Sequence, residues 1–133
     1  MRRSSPEEKA LLILVIDDLR SFDPNREQAT VEYARDADSG IGKLRSALAD
    51  DVFYDELWLD FDLGEDDRGP LDVMPVVREL EQEPEYARVL GSVFIHTSSP
   101  VGASRIAAAL GSPGVYEAYR VSALESGLRI PGF

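Results

Sequence analysis

The chain has no cysteine, which excludes a disulfide framework, an iron–sulfur cluster and any thiolate zinc site. Its single histidine, His96, excludes a histidine-rich metal centre. Lysine occurs only at Lys9 and Lys43, and 14 basic residues face 25 acidic ones, a formal net charge of −11 at pH 7. Such a balance argues against tracking along a phosphate backbone, which depends on cationic surface, so general DNA binding is not expected. Long apolar runs are missing too. The run Leu11–Ile16 falls far short of the roughly 20 residues of a membrane span. It ends in Asp17-Asp18 with no small-residue cleavage site after it. Despite the basic start Met1-Arg2-Arg3, it reads as a buried strand rather than an export signal, and the expected setting is cytoplasmic with no membrane partner. A strongly acidic chain also suits the blocking of a basic protein surface, so a protein partner stays open.

What is present is ordinary globular material. The 133 residues are 44% apolar and 29% charged, enough for one domain with its own core. Residues 1–9 are polar and expected to be a flexible N-terminus, 10–124 to form the domain, and 125–133 to be a tail. Leu11–Ile16 is an uninterrupted apolar run, as a central parallel strand covered on both faces requires. Asp17 to Glu27, with Pro24 and Asn25, reads as a loop. Thr30–Arg35 suggests a second strand, after which Asp36 or Asp38 caps a helix carrying Ile41, Leu44 and Leu48. Glu56–Asp60 is a third strand and Asp62–Asp67 an acidic loop. Leu71, Met74, Val77 and Leu80 mark a helix within 69–83. Ser92–His96 is a fourth strand, 101–110 an alanine-rich helix closed by Gly111, and Val115–Val121 a fifth strand.

Strands alternating with helices imply an α/β fold: a three-layer, open parallel five-stranded sheet in the order 2-1-3-4-5 with right-handed crossovers. Pro24 interrupts the stretch between the first two strands, so the first crossover helix is short or absent. In such sheets ligands bind beyond the carboxyl ends of the strands, and the polar residues fall there. Strand one ends in Asp17-Asp18, strand three in Asp60, and strand four in His96-Thr97-Ser98. Carboxylates converging at one edge repel unless a cation joins them. An oxygen-only donor set suits a hard ion such as Mg²⁺ or Mn²⁺, which combines carboxylates with waters and a substrate phosphate. A hydroxyl of Thr97 or Ser98 is placed to donate to a phosphoryl oxygen, or else to cap the following helix. His96 is the candidate for proton transfer near neutral pH, although a lone histidine at a strand end also suits a structural role. Gly102, after Pro100, opens a helix whose amides suit an anion.

Three segments carry a family resemblance. Leu14-Val15-Ile16-Asp17-Asp18-Leu19-Arg20, Leu59-Asp60-Phe61-Asp62-Leu63-Gly64 and Ile95-His96-Thr97-Ser98-Ser99-Pro100-Val101-Gly102 resemble the divergent receiver-like family named for cyclic-phosphate processing. That family is related to the receiver domains of two-component signalling. Its pattern runs Asp-Asp-x-Arg, Leu-Asp-His-Asp-Leu-Gly and His-Ser-x-Asn-Pro-x-Gly, and the likeness covers most of 11–121. Phe61 stands here for the central histidine and Ser99 for the asparagine. The lysine that ordinary receivers carry at the end of strand five is absent, with Arg120 the nearest cation in place.

The resemblance implies metal binding by Asp17, Asp18, Asp60 and Asp62, phosphate contacts from Arg20, Ser99 and Gly102, and chemistry at Asp60, His96, Thr97 and Ser98; for Arg20, pairing with the Asp cluster is an equal alternative. The implied activity is Mg²⁺-dependent phosphoesterase action on a phosphate-containing small molecule or a phosphorylated nucleotide end. Two other readings of the same residues stand beside it: a non-catalytic signalling receiver phosphorylated on Asp60, and an acidic interaction module on a degenerate receiver fold.

Overall fold

The computed structural model of the protein describes residues 11–18, 29–111 and 115–121. The expected N-terminal segment 1–9, the tail 125–133, the loop beyond Asp18 with Arg20, and the whole first crossover lie outside the described residues.

Five parallel strands form one sheet: β1 (Leu11–Ile16), β2 (Ala29–Ala34), β3 (Tyr54–Leu59), β6 (Leu90–His96) and β7 (Glu117–Val121). Their order is β2-β1-β3-β6-β7, the expected 2-1-3-4-5 topology once the strands of a separate hairpin are set aside. The remaining elements are α1 (Ala37–Asp50), the hairpin β4 (Asp62–Asp66) and β5 (Gly69–Asp72), α2 (Met74–Gln82), a 3₁₀ turn (Pro84–Arg88) and α3 (Pro100–Gly111).

The alternating direction of side chains along each strand sorts the core into two clusters. Leu14 and Ile16 of β1, Leu57 and Leu59 of β3, and Val93 and Ile95 of β6 point to one face. There they meet Leu44 of α1, Val76, Val77 and Leu80 of α2, and Ile106 and Leu110 of α3. Ile13 and Val15, Trp58, Phe94 and Val121 occupy the opposite face, where Trp58 stacks on Phe94 with ring centroids 4.5 Å apart. A strand buried on both faces has no need of polar alternation, hence the unbroken apolar run of β1.

Two expectations are corrected here. Asp62–Asp67 is not a plain loop: Asp62–Asp66 pairs antiparallel with Gly69–Asp72, and the tip is turned by Asp66, whose carboxylate accepts from Arg68 N at 2.8 Å. The helix expected within 69–83 begins only at Met74. Leu71 belongs to β5 and is exposed, whereas Met74, Val77 and Leu80 are buried as the stripe required. Pro75 stands in the first turn of α2, where its missing N–H costs nothing, and the Asp72 carboxylate accepts from Met74 N at 2.9 Å.

The helices are tied together on the first face by polar contacts at its rim. Arg45 of α1 grips Glu79 of α2 through two 2.9 Å bonds, and the Tyr86 hydroxyl donates to the same carboxylate at 2.6 Å. The Arg45 guanidinium, then the Tyr86 hydroxyl, hold the Glu79 carboxyl below its ordinary range. Tyr116 donates to the Leu80 carbonyl at 2.6 Å, closing the end of α2, and burial pushes its hydroxyl up to about 12.

Asp36 is the N-cap of α1: its carboxylate accepts from Ser39 N at 2.7 Å. That bond lowers the Asp36 carboxyl from its ordinary value of 3.8. Asp36→Ala is expected to cost about 1 kcal/mol in urea unfolding at pH 7. The cap's charge-dependent part is present above the unfolded value of 3.8 and is lost as pH falls through the lower folded value. The gap between wild type and variant therefore narrows below about pH 4, and a gap that stays constant from pH 7 down to pH 2 would refute the assignment.

Candidate functional site

Register places the site. Ile16 of β1 pairs with Leu59 of β3, and Leu59 pairs with Ile95 of β6, so the next residues, Asp17, Asp60 and His96, stand side by side at the carboxyl ends of three neighbouring strands. The ladder continues briefly, with Asp17 N donating to Ala34 O at 3.1 Å and Asp60 N to Ile16 O at 3.0 Å. Asp17, Asp60 and His96 are all buried.

Carboxylate oxygens of Asp17, Asp18 and Asp60 lie within 4.8 Å of one another. At that separation two unit charges repel by about 3.5 kcal/mol in an effective dielectric of about 20, a cost that a divalent cation between them reverses. The donors are all oxygen and two of the three residues are buried, which suits a hard cation. Asp62 does not join them. It is exposed at the start of β4, where the hairpin pairs it with Asp72, so the expected four-carboxylate set is a set of three.

The hairpin still touches the site through Gly64. Its φ of +85° is left-handed, and a Cβ there would sit 3.0 Å from Asp18 Oδ2. The glycine lets the main chain of β4 close over the Asp18 carboxylate.

The second end of the site is the start of α3. Ser99 Oγ accepts from Gly102 N at 3.0 Å, so Ser99 caps the helix rather than Thr97 or Ser98. Thr97 Oγ1 accepts from Ser99 N at 3.2 Å and is buried, while Ser98 is exposed. Gly102 has a packing task of its own: a Cβ would lie 2.3 Å from the Phe61 ring, which rests on the helix at that point. Arg120 pairs across from Ile95 and so points to the helix-covered face, opposite the side on which Asp17, Asp60 and His96 follow Val15, Trp58 and Phe94.

Two contributors were not singled out from sequence. Arg35, just after β2, donates from Nη1 to Asp17 O at 3.1 Å and stacks over the Tyr33 ring at 4.6 Å. Glu56 is buried within β3 and accepts from Trp58 Nε1 at 2.9 Å. The indole so held meets the His96 ring edge-on, with centroids 5.7 Å apart. Neither a cation after an edge strand nor a carboxylate inside a strand carries a motif; only the alternation of β3, which puts Glu56 on the face of Trp58, signals the second.

A parallel α/β sheet in this order, with an aspartate cluster at the carboxyl edge of β1 and β3, defines a receiver-type domain. Residues 12–112 match the Cyclic-phosphate processing Receiver domain, and the chain belongs to that family. No curated protein and no solved structure matches it. Among the described residues no helix is long and apolar enough to cross a membrane.

Glu56→Ala leaves the buried Trp58 N–H without its acceptor, an expected loss of about 1–3 kcal/mol in urea unfolding. Because Trp58 is the sole tryptophan, its emission reports the change directly. Wild-type stability and an unmoved emission maximum would show that this bond does not hold the indole.

Proposed function

We propose that this domain binds Mg²⁺, or Mn²⁺ in its place, through Asp17, Asp18 and Asp60 and processes a phosphate-bearing ligand as a metal-dependent phosphoesterase. The ligand class is a cyclic phosphate on a small molecule or on a nucleotide end. The convergence of three carboxylates within 4.8 Å carries the reading, and the family's association with cyclic-phosphate processing supplies the substrate class. When bound, the ion contributes charge that polarises phosphoryl oxygens.

The chain's own residues supply the rest. Asp60 stands between Asp17 and His96, so a phosphate at the cluster lies beside the only imidazole, which carries the proton to or from the ester oxygen. The Thr97 oxygen already accepts from Ser99 N, which leaves its hydroxyl proton to donate to a phosphoryl oxygen. Ser98, exposed next to it, offers a second hydroxyl. Ser99 and Gly102 are bonded to each other and support the phosphate site through the helix they start. Arg20 keeps its expected phosphate role as a proposal.

One observation favours a second reading. Phe61 occupies the position of the family pattern's central histidine, which removes a proton-transfer group and leaves room for a receiver that accepts a phosphoryl group on Asp60. Incubation with acetyl phosphate followed by intact mass measurement separates the two, since only the second gains a stable phosphoryl increment.

Calorimetric titration with Mg²⁺ is expected to show one site in wild type and none in Asp60→Ala. Hydrolysis of a 2′,3′-cyclic nucleotide is expected to fall at least 100-fold in His96→Ala with metal affinity retained. Wild-type protein that takes up no divalent cation would rule the reading out.

A further inference from the structure

Glu56, Trp58 and Asp60 follow one another at two-residue spacing along β3, so their side chains point to the same side of the sheet. On β6, Phe94 and His96 do likewise, and Trp58 pairs in register with Phe94. The acid and the imidazole at the sheet edge are thus continuous with a buried row of aromatic and carboxylate side chains behind them.

Trp58 is completely buried and held in that row from two directions. The indole stacks on the Phe94 ring, with centroids 4.5 Å apart and planes 24° from parallel. Its Nε1 donates to Glu56 Oε1 at 2.9 Å. Stacking fixes the plane of the ring, and a directional bond fixes its rotation within that plane. To His96 the indole presents an edge-on contact, 5.7 Å between centroids at 80°, the geometry of a T-shaped aromatic pair. His96 is buried too, and its main chain is set by pairing with Val121 at the end of β6. Two side-chain torsions remain to it, and the indole forms a wall against which they are limited.

Glu56 is the costly member of the row. Its cross-strand neighbours are Ile13 of β1 and Ser92 of β6, and a carboxylate buried there loses most of its hydration. An apolar residue of similar volume would suit the core better, but it would leave the indole N–H without this acceptor.

We infer that Trp58 is a positioning residue for the His96 imidazole, and that Glu56, by accepting the indole N–H, keeps Trp58 in the orientation that does this. The inference rests on the proton-transfer role proposed above for His96 and adds what aims the ring. Such transfer requires a ring nitrogen within hydrogen-bond reach of the ester oxygen, and a misplacement of about 1 Å costs as much as about 100-fold in rate.

Two measurements test it, the first without metal or substrate. Because the chain has one histidine, its imidazole gives one Hδ2 and one Hε1 signal in a proton–carbon correlation spectrum. In wild type both are expected to be displaced from free-histidine positions by the indole ring current. Glu56→Leu, which keeps the indole and removes its acceptor, is expected to move them toward those positions. Glu56→Gln, whose side-chain carbonyl can accept the same N–H, is expected to bring them back. The second measurement is hydrolysis of a 2′,3′-cyclic nucleotide by Mg²⁺-loaded protein. Glu56→Leu and Trp58→Phe are each expected to lower kcat about tenfold, with KM and Mg²⁺ affinity unchanged, and Glu56→Gln to recover most of the loss. Added to His96→Ala, neither lowers the rate further. Should Trp58→Phe fail to fold, the Glu56 variants carry the test. Imidazole signals unmoved in Glu56→Leu, a Glu56→Gln protein as impaired as Glu56→Leu, or a loss that persists with His96 already alanine overturns the inference and leaves the proposed function standing. Wild-type protein that hydrolyses no cyclic nucleotide defeats the proposed function, and the imidazole signals then decide the positioning of His96 by themselves.

Discussion

The site depends on the register of three parallel strands. Because β1, β3 and β6 are aligned so that Ile16, Leu59 and Ile95 stand in one row, the residues that follow emerge at one level, about 5 Å apart across the sheet. A slip of one residue in any of these pairings would turn a whole strand over and send its terminal acid to the helix-covered face. The alternation of side chains that seats Val15, Trp58 and Phe94 in one core cluster is therefore what aims Asp17, Asp60 and His96 the same way. Core packing and site geometry are one specification.

Much of this was legible in the sequence because the central strands are pure signals. Leu11–Ile16 and the apolar part of 92–96 announce strands buried on both sides, and a carboxylate or imidazole at the end of such a run can only stand at the sheet edge. The hairpin was not legible, for a physical reason. Asp62–Asp66 is built from Asp, Leu, Gly and Glu, residues with little preference for strands, and pairing with Pro70 and Gly69 is a decision of the turn at Asp66–Arg68. Reading Leu71 into a helix stripe followed from periodicity alone; the four-residue β5 intervenes, and the helix starts where the Asp72 carboxylate accepts from Met74 N and Pro75 fits the first turn. The helix cap at Ser99 was missed by one residue, a distance that local sequence preference does not resolve among three adjacent hydroxyls.

Charge is distributed with similar economy. The acidic surplus leaves few cations, and several of those hold elements together: Arg45 links α1 to α2 through Glu79, and Lys43 lies beside Glu32, which also accepts from the Tyr54 hydroxyl at 2.8 Å. Burial first, and then this neighbouring carboxylate, push the Tyr54 hydroxyl upward, so it stays a neutral donor at any physiological pH. The bonds at the far rim serve the scaffold, while Arg35 is the described cation seen to contact the acidic edge, through the Asp17 carbonyl.

The hairpin has a consequence for motion. A two-stranded ribbon paired only with itself is marginal in water, and this one is anchored chiefly by Leu63, buried in the main cluster, and by the bond from Val73 N to the Phe61 carbonyl. Its amides therefore belong to the low-protection end of the domain, opening at far less free energy than the central strands. Since Gly64 lies against the Asp18 carboxylate, each such excursion bares one flank of the acidic edge to water while the sheet behind it stays closed.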